Sequence, residues 1–162
     1  MSLSILAVCS GNICRSPTAA AAIAAAAAAA GIEIEVDSAG TGAWNLGEPP
    51  HPQAVATADA VGLELMGKAR KIHRGDFERF DVILAMDRSN LADLLALAPS
   101  KEARAKVRLF ATYHPGHLTE ISDPWGGPEE GYTRMVETVR VAAEELIDSL
   151  LAVGSESVDT GE

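Results

Sequence analysis

The most constraining feature of this chain is a strand–turn–helix pattern near its N-terminus, over residues 4–31. The apolar run SILAV indicates a short buried strand, and a polar turn containing a glycine follows it. Ser16 can then act as the N-cap of a helix whose first position suits Pro17, and alanines carry that helix to Gly31, a typical C-cap residue. A buried strand that runs through one turn into a helix is the repeating unit of α/β proteins with parallel sheets.

The rest of the chain continues this alternation. Strands are predicted at 32–36, 81–85 and 107–110, and helices at 52–61, 89–97 and 132–151. Loops rich in glycine and proline are predicted at 38–52 and 113–131. We therefore predict an α/β fold, a single-domain three-layer sandwich whose four-stranded parallel sheet is flanked by helices on both faces. The domain is expected to span residues 1–152, and the polar tail at 153–162 is expected to be disordered.

The alanine-rich run from Ala19 to Ala30 carries almost no charge on the face that a surface helix turns to water. A natural alanine-rich helix accounts for it, because alanine has the highest helix propensity. Replacement of outer side chains by engineering is the alternative. Both interpretations leave the chemistry at the start of this helix unchanged.

Among the methionines, Met66, Met86 and Met135 are expected in the core.

Charge and cysteine content limit the partners of the 162-residue chain. A formal net charge of −10 argues against nucleic acid or an anionic membrane as the main partner, because both need clustered Lys and Arg. It does not exclude an anionic substrate, since a pocket can be locally positive. The N-terminus lacks a basic n-region and no apolar run is long enough to span a bilayer, so we expect a cytoplasmic protein with no membrane association. Cys9 and Cys14 are expected to be reduced thiols or a redox pair.

The turn of the first unit, CSGNICR, places a cysteine and an arginine in one loop after a buried strand. Ligands of open α/β sheets bind beyond the carboxyl ends of strands, where Cys9 is expected. Backbone N–H groups of such a turn can surround an anion at a helix N-terminus, and the Arg15 guanidinium matches phosphate oxygens. The same positive field stabilises the thiolate form of a cysteine. The spacing therefore predicts a thiolate nucleophile beneath a bound phosphoryl group, and with it a phosphocysteine intermediate.

The run V-C-S-G-N-I-C-R-S-P resembles the active-site loop of the low-molecular-weight protein tyrosine phosphatases. The likeness continues through DSAGTGAWNLGEPPHPQA at 37–54, FDVILAMDRSN at 80–90 and DPW at 123–125. The resemblance implies a four-stranded parallel sheet flanked by helices. It also implies hydrolysis of phosphotyrosine in protein substrates, as part of signalling, without a metal or another cofactor.

The resemblance further implies roles for the loop residues. Cys9 would be the nucleophile, and Arg15 would hold the phosphoryl oxygens and stabilise the transition state. Ser16 would donate its hydroxyl hydrogen to the Cys9 sulfur. Asn12 would hold a left-handed backbone position, supported by a hydrogen bond with Ser38. The phosphate would be surrounded by the backbone N–H groups of the loop, which comprises Ser10, Gly11, Asn12, Ile13, Cys14, Arg15 and Ser16.

Outside the loop, the resemblance makes Asp123 the general acid that protonates the leaving tyrosine oxygen and later accepts a proton from water. Without the loop, Asp-Pro would indicate only a turn. Trp44 and Trp125 would flank the substrate ring at the pocket mouth. The alternative for Trp44 is packing beneath its own loop. Because the family more often has tyrosine at the position of Trp125, the rim is expected to differ in shape.

Two loop positions bear on specificity and regulation. Related arginine phosphatases usually have threonine at the position of Ile13, so an aliphatic residue there favours phosphotyrosine. Cys14 either fills space in the core or captures oxidised Cys9 as a reversible disulfide, and the family supports the second.

The histidines carry no predicted role. Some family members have a histidine near position 68 that orders the serine–asparagine contacts, but this chain has Lys68. His73 is expected on the surface and His51 in a loop. His114 and His117 have a spacing loosely typical of metal ligands, but no third ligand accompanies them, so no metal site is predicted.

Three other functions compete with the phosphotyrosine phosphatase. Thiol-coupled arsenate reductases share the loop but relay a disulfide through further cysteines, and the region 80–97 contains none. A protein arginine phosphatase is opposed mainly by Ile13. An oxyanion-binding sensor without catalysis would be expected to lack Cys9 or Asp123, and both are present.

Overall fold

The computed structural model describes the backbone of residues 2–159. Its strands are β1 (Leu3–Cys9), β2 (Ile34–Gly40), β3 (Val82–Ala85) and β4 (Val107–Leu109). Its helices are α1 (Arg15–Ala29), α2 (Pro52–Asp59), α3 (Asp76–Arg79), α4 (Arg88–Leu97), α5 (Lys101–Ala105) and α6 (Glu129–Asp159), with a 3-10 turn at Phe110–Tyr113. The short helices α3 and α5 are absent from the sequence prediction, because four or five residues are too few to show a helical period.

All four strands are parallel and lie in the order β2-β1-β3-β4. Cys9 is paired with Gly40 of β2, and Val8 is paired with Ala85 of β3. These three strands therefore end at one edge of the sheet, and the loops that follow them meet there.

Alternate residues of β1 face two separate cores. Ile5 and Ala7 pack with α1, α2 and α6, whereas Leu6 and Val8 pack with α3, α4 and α5. The predicted α/β fold, with helices on both faces of a four-stranded parallel sheet, is confirmed. Within residues 2–159, no helix combines the length and the apolar character needed to cross a membrane.

The start of α1 differs from the sequence prediction. The helix begins at Arg15 with Cys14 at the N-cap position and without a capping side chain, so the predicted capping role of Ser16 is wrong. The Ser16 hydroxyl instead contacts side chains of the loop. Pro17 lies further inside the first turn and is tolerated there, because first-turn N–H groups have no partner within the helix. At the other end, Gly31 has φ 71° and ends the helix as predicted.

The second strand is also displaced from its predicted position. β2 covers Ile34–Gly40 rather than 32–36, which moves Ser38 from a predicted loop into a strand. The pairing with β1 reaches Gly40 because a glycine admits a close neighbour: a Cβ there would lie 2.7 Å from the Ser10 carbonyl oxygen. The local alternation of apolar residues cannot predict how far β2 extends, because its extent depends on pairing with β1.

The last helix is longer than predicted. The sequence predicts a helix over 132–151 and a disordered tail over 153–162, but the backbone is helical from Glu129 to Asp159. Residues 160–162 lie outside the described residues. The tail has no proline, and extending an existing helix fixes only one residue for each new hydrogen bond.

Met86 and Met135 are buried as predicted, whereas Met66 is exposed, so its prediction is wrong.

Candidate active site

The predicted phosphate-binding loop lies between β1 and α1, at the carboxyl edge of the sheet. The segment after β2 holds its backbone: the Thr41 N–H donates to the Cys9 carbonyl at 2.9 Å, and the Gly42 N–H donates to the Ser10 carbonyl at 3.0 Å. Cys9 is buried, and its Sγ lies 3.0 Å from the Ser16 Oγ. A hydroxyl at this distance can donate a hydrogen bond to the sulfur.

Asn12 adopts the left-handed backbone conformation, with φ 58°. Its Nδ2 donates to the Ser16 Oγ at 2.8 Å and to the Ser38 Oγ at 2.9 Å. Its Oδ1 accepts from the Arg70 N–H at 3.0 Å. These three hydrogen bonds hold a conformation that few residues other than glycine adopt. The contact with Ser38 agrees with the expected one, while sequence reasoning did not identify Arg70.

The Arg15 guanidinium is buried beneath the loop and held on two sides. Its Nη1 donates to the Asp87 Oδ2 at 2.7 Å and to the Ile121 carbonyl oxygen at 3.1 Å. Burial alone would lower the pKa of Arg15, but the Asp87 hydrogen bond and the neighbouring Cys9 and Asp123 outweigh it and raise that pKa. Arg15 therefore keeps a fixed positive charge under the loop.

Sequence reasoning missed two residues at the start of α4. Asp87 holds Arg15 and also caps the helix, because its Oδ1 accepts from the Asn90 N–H at 2.7 Å. The Asn90 Nδ2 donates to the Ser10 Oγ at 3.1 Å. Asp87 follows β3 by two residues, so the general location of ligand sites at the carboxyl ends of parallel strands could have identified it.

A pocket of about 350 Å³ opens above the loop. Trp44 and Trp125 stand at its mouth, 74% and 65% exposed, so Trp44 does not pack beneath its own loop. Gly11 lies close to one wall, where an added Cβ would be 2.6 Å from the Asn45 Oδ1. The pocket is lined by Cys9, Ser10, Gly11, Ile13, Cys14, Arg15, Trp44, Asn45, Asp123 and Trp125.

Asp123 lies at the pocket with its side chain 51% exposed. Its Oδ2 is 3.7 Å from the Arg15 Nη2, and its Oδ1 accepts from the Trp125 N–H at 3.1 Å. The second contact forms a local turn that orients the carboxylate. The carboxylate therefore lies within the pocket lining and is also accessible to water.

Cys14 faces the core beside the pocket. Burial, with smaller contributions from the nearby Asp123 and Cys9, raises the pKa of Cys14 to about 12. Tyr132 lies near Cys14, and the Tyr132 ring stacks on His51 with the ring centres 5.5 Å apart. Cys9 and Cys14 are both free thiols.

A cluster of charged side chains supports Asn12 from the side of β2. Arg70 forms ion pairs with Asp76 at 3.0 Å and with Asp37 at 3.3 Å. The backbone of Lys71 forms an isolated parallel bridge with Gly40 at the end of β2. The cluster fixes the segment whose N–H group contacts the Asn12 side chain.

The histidines lie apart from any metal-binding arrangement. Across the described part of the chain, no group of three or more His, Cys, Asp or Glu side chains could hold a metal ion. The His114 Nδ1 accepts from the Gly116 N–H at 2.9 Å within its own loop, and His117 has φ 56°. His73 is exposed as expected and lies 3.7 Å from Asp76. The His51 Nδ1 caps α2.

Comparison with known proteins identifies the family of this chain. A family model described as low molecular weight phosphotyrosine protein phosphatase matches residues 4–156. The low molecular weight phosphotyrosine protein phosphatase of Schizosaccharomyces pombe is 40% identical over 134 residues, covering 80% of this chain and 85% of its own length. The low molecular weight protein-tyrosine-phosphatase of Streptomyces coelicolor is 38% identical over 164 residues, with 98% of each chain covered.

Solved structures have the same fold. A protein tyrosine phosphatase from Entamoeba histolytica with Hepes in its active site has a TM-score of 0.90 at 30% identity, covering 94% of this chain and 99% of its own. A low molecular weight phosphotyrosine phosphatase from Vibrio cholerae has a TM-score of 0.88 at 33% identity with the same coverage. The resemblance stated from the sequence is therefore confirmed, and the chain belongs to the low molecular weight phosphotyrosine protein phosphatase family.

Proposed function

We propose that residues 1–152 form a phosphatase domain that hydrolyses phosphotyrosine in proteins through a phosphocysteine intermediate on Cys9. The observation that carries the proposal is the pairing of Cys9 with Arg15 in one pocket. The buried guanidinium is fixed by Asp87 at 2.7 Å, and Cys9 has the Ser16 hydroxyl 3.0 Å from its sulfur. The fixed positive charge favours a bound phosphoryl group and a thiolate beside it.

The first step transfers the phosphoryl group to the enzyme. The Cys9 thiolate attacks phosphorus, an S–P bond forms and the bond from phosphorus to the tyrosine oxygen breaks. Asp123 gives its proton to that oxygen, so the tyrosine leaves as a neutral phenol. Arg15 and the loop N–H groups stabilise the negative charge of the transferring oxygens, because they are positioned before the reaction begins.

The second step returns the enzyme to its starting state. Water attacks the phosphorus of phosphocysteine, and the Asp123 carboxylate accepts one of its protons. The S–P bond breaks, its electron pair returns to the Cys9 sulfur as a thiolate, and inorganic phosphate is released. The Ser16 hydroxyl stabilises that departing thiolate by donating a hydrogen bond. No metal or other cofactor enters either step.

The rim of the pocket supports phosphotyrosine as the substrate. Trp44 and Trp125 line the pocket and are largely exposed, so they provide aromatic surface for contact with a phosphotyrosine ring. Ile13 contributes an aliphatic wall in place of the threonine of related arginine phosphatases. The proposed substrates are phosphotyrosine-containing proteins of the cytoplasm, a reducing compartment that suits two free cysteines.

We further propose that Cys14 protects the nucleophile from irreversible oxidation. Peroxide converts the Cys9 thiolate to a sulfenic acid, and the Cys14 sulfur then attacks the Cys9 sulfur, which forms a disulfide and releases water. A cellular thiol reduces the disulfide and restores activity. Mass spectrometry after mild peroxide should find the Cys9–Cys14 disulfide, and finding only sulfinic acid on Cys9 would refute this role.

The function is tested by phosphate release from a phosphotyrosine peptide, with wild type and Cys9→Ser measured side by side. We expect release by the wild type and none by Cys9→Ser, because a serine hydroxyl is a far weaker nucleophile than a thiolate. Phosphoserine and phosphoarginine substrates run in parallel. Release mainly from phosphoarginine would keep the mechanism and overturn the interpretation of Ile13. No release from any substrate by folded protein would favour arsenate reduction or an oxyanion sensor.

A further inference from the structure

We propose that Asn90 is a positioning residue of the phosphate-binding loop, acting through the Ser10 hydroxyl. Asn90 lies in the first turn of α4 and is 0% exposed. Its Nδ2 donates to the Ser10 Oγ at 3.1 Å, which links two residues 80 positions apart in the chain. The inference rests on the proposed function of the loop as a phosphate site.

The other half of the Asn90 amide is unsatisfied. Its Oδ1 is buried and has no hydrogen-bond partner among the protein groups that the structure describes. A buried carbonyl oxygen without a partner destabilises a fold, and an apolar residue at this position would avoid that cost. The hydrogen bond to Ser10 is therefore what the Asn90 side-chain amide contributes here.

That hydrogen bond completes the fixation of Ser10. The Ser10 carbonyl oxygen already accepts from the Gly42 N–H at 3.0 Å, with Gly40 leaving room for it. Because the C=O and N–H of a trans peptide point in opposite directions, the Gly11 N–H points away from Gly42. With its carbonyl and its hydroxyl both held, Ser10 fixes the orientation of the first peptide group available to a bound phosphate.

The first turn of α4 also holds the other end of the loop. Asp87 accepts from the Arg15 Nη1 at 2.7 Å and from the Asn90 N–H at 2.7 Å. One helical turn therefore connects Ser10 at the start of the loop with Arg15 at its end. Movement of this turn would change the distance between Ser10 and Arg15. Asn90 and Asp87 together therefore determine how far apart the two ends of the loop lie.

The test is a double-mutant cycle with Ser10→Ala, Asn90→Ala and the double variant. Binding of inorganic phosphate is measured by titration calorimetry, and kcat/KM is measured on a phosphotyrosine peptide. We expect each single variant to weaken phosphate binding roughly tenfold, because a displaced peptide group no longer faces the anion. The double variant should bind no more weakly than whichever single variant binds more weakly. Ser10→Thr, which keeps the hydroxyl, should lose less phosphate binding than Ser10→Ala.

The control is Ser100→Ala, which removes the side-chain cap of α5, where the Ser100 Oγ accepts from the Ala103 N–H at 3.1 Å. It should lower the melting temperature and leave phosphate binding unchanged. Additive losses in the cycle, or wild-type phosphate binding by Ser10→Ala, would overturn the inference. If Asn90→Ala does not fold, the comparison of Ser10→Ala with Ser10→Thr decides. Wild-type protein that binds phosphate but does not hydrolyse phosphotyrosine would refute the proposed function and leave this cycle valid.

Discussion

At the scale of single residues, the candidate catalytic groups differ in their exposure to water. Arg15 is buried and held by two acceptors, so its charge is in place before a substrate arrives. Asp123 is half exposed and held by one backbone contact at 3.1 Å, so it can exchange protons with water between the two steps. Fixed charge suits stabilisation of the transferring oxygens, whereas proton transfer in both directions needs access to solvent.

The role of Asp123 in proton transfer predicts that Asp123→Asn lowers the reaction rate by a factor that depends on the leaving group. An amide cannot donate the proton, so release of a poor leaving group such as a tyrosine side chain should fall by roughly 100-fold or more. Release of nitrophenolate, which needs little protonation, should fall much less. Steady-state rates on both substrates check the expectation, and equal slowing for the two would remove Asp123 as the general acid.

The raised pKa of Cys14 predicts that disulfide formation accelerates as the pH rises. The thiolate is the attacking form, and below a pKa of about 12 its fraction increases with pH. The rate of Cys9–Cys14 closure after one equivalent of peroxide should therefore rise by roughly tenfold per pH unit between pH 6 and pH 9. Quenched-flow alkylation followed by mass spectrometry measures the rate. A rate independent of pH would show that Cys14 does not limit the closure.

At the scale of elements, the segment between α2 and α3 extends the sheet edge beside the site. Arg70 donates its backbone N–H to Asn12 and pairs its side chain with Asp76 of α3, which is 1% exposed. Burial would raise the pKa of Asp76, but the hydrogen bonds from Arg70 and from the His73 N–H outweigh it and lower that pKa. The ion pair therefore ties α3 to the backbone that supports the left-handed Asn12.

Asp76→Asn is expected to destabilise the protein in a pH-dependent way. A carboxyl whose pKa is lowered on folding stabilises the fold above its unfolded pKa and loses this effect as the pH falls through the folded pKa. The variant should have a free energy of unfolding about 2 kcal/mol smaller at pH 7, and the difference should shrink below about pH 4. Urea unfolding at pH 7 and pH 3 measures it.

The exposed Asp59→Asn provides the matched control, since it removes one charge from the surface of the molecule. It should change the free energy of unfolding little at either pH. A destabilisation of Asp76→Asn that is equal at pH 7 and pH 3 would contradict the assignment of the lowered pKa to this carboxyl.

At the scale of the whole molecule, a net charge of −10 surrounds a pocket whose fixed positive charge, Arg15, is buried. The long-range field of the molecule is therefore expected to repel anionic substrates, while Arg15 attracts them at short range inside the pocket. Since salt screens charges beyond about 10 Å at 0.1 M, the approach of the substrate should depend on ionic strength more than the chemical steps do.

We expect kcat/KM for a phosphotyrosine peptide with acidic flanking residues to rise roughly threefold between about 10 mM and 150 mM NaCl. A peptide with basic flanking residues should show the opposite trend, and kcat should change little for both. The two peptides serve as controls for each other. If both peptides respond equally, the effect arises from salt in general and not from the electrostatic field of the protein.

Much of the fold and part of the site could be predicted because their determinants are local. The order of strands and helices follows from apolar periods and from glycine and proline positions, and the contact between Cys9 and Ser16 spans seven residues. Two of the errors fall where tertiary contacts decide: β2 extends to Gly40 because β1 lies beside it, and Ser16 does not cap α1 because its hydroxyl contacts Asn12 and Cys9.

The sequence by itself determined the strand–loop–helix unit and the family, and it predicted which residues form the loop between β1 and α1. The unit and the loop lie in one contiguous pattern, and the family is carried by short motifs that can be read along the chain. Only the tertiary structure decided what holds those residues. Arg15 contacts Asp87 and Ile121 at separations of 72 and 106 residues, and Asn12 contacts Arg70 at a separation of 58. Hydrogen bonds over such separations have no local signature, because they exist only after parallel strands bring their carboxyl ends to one edge of the sheet.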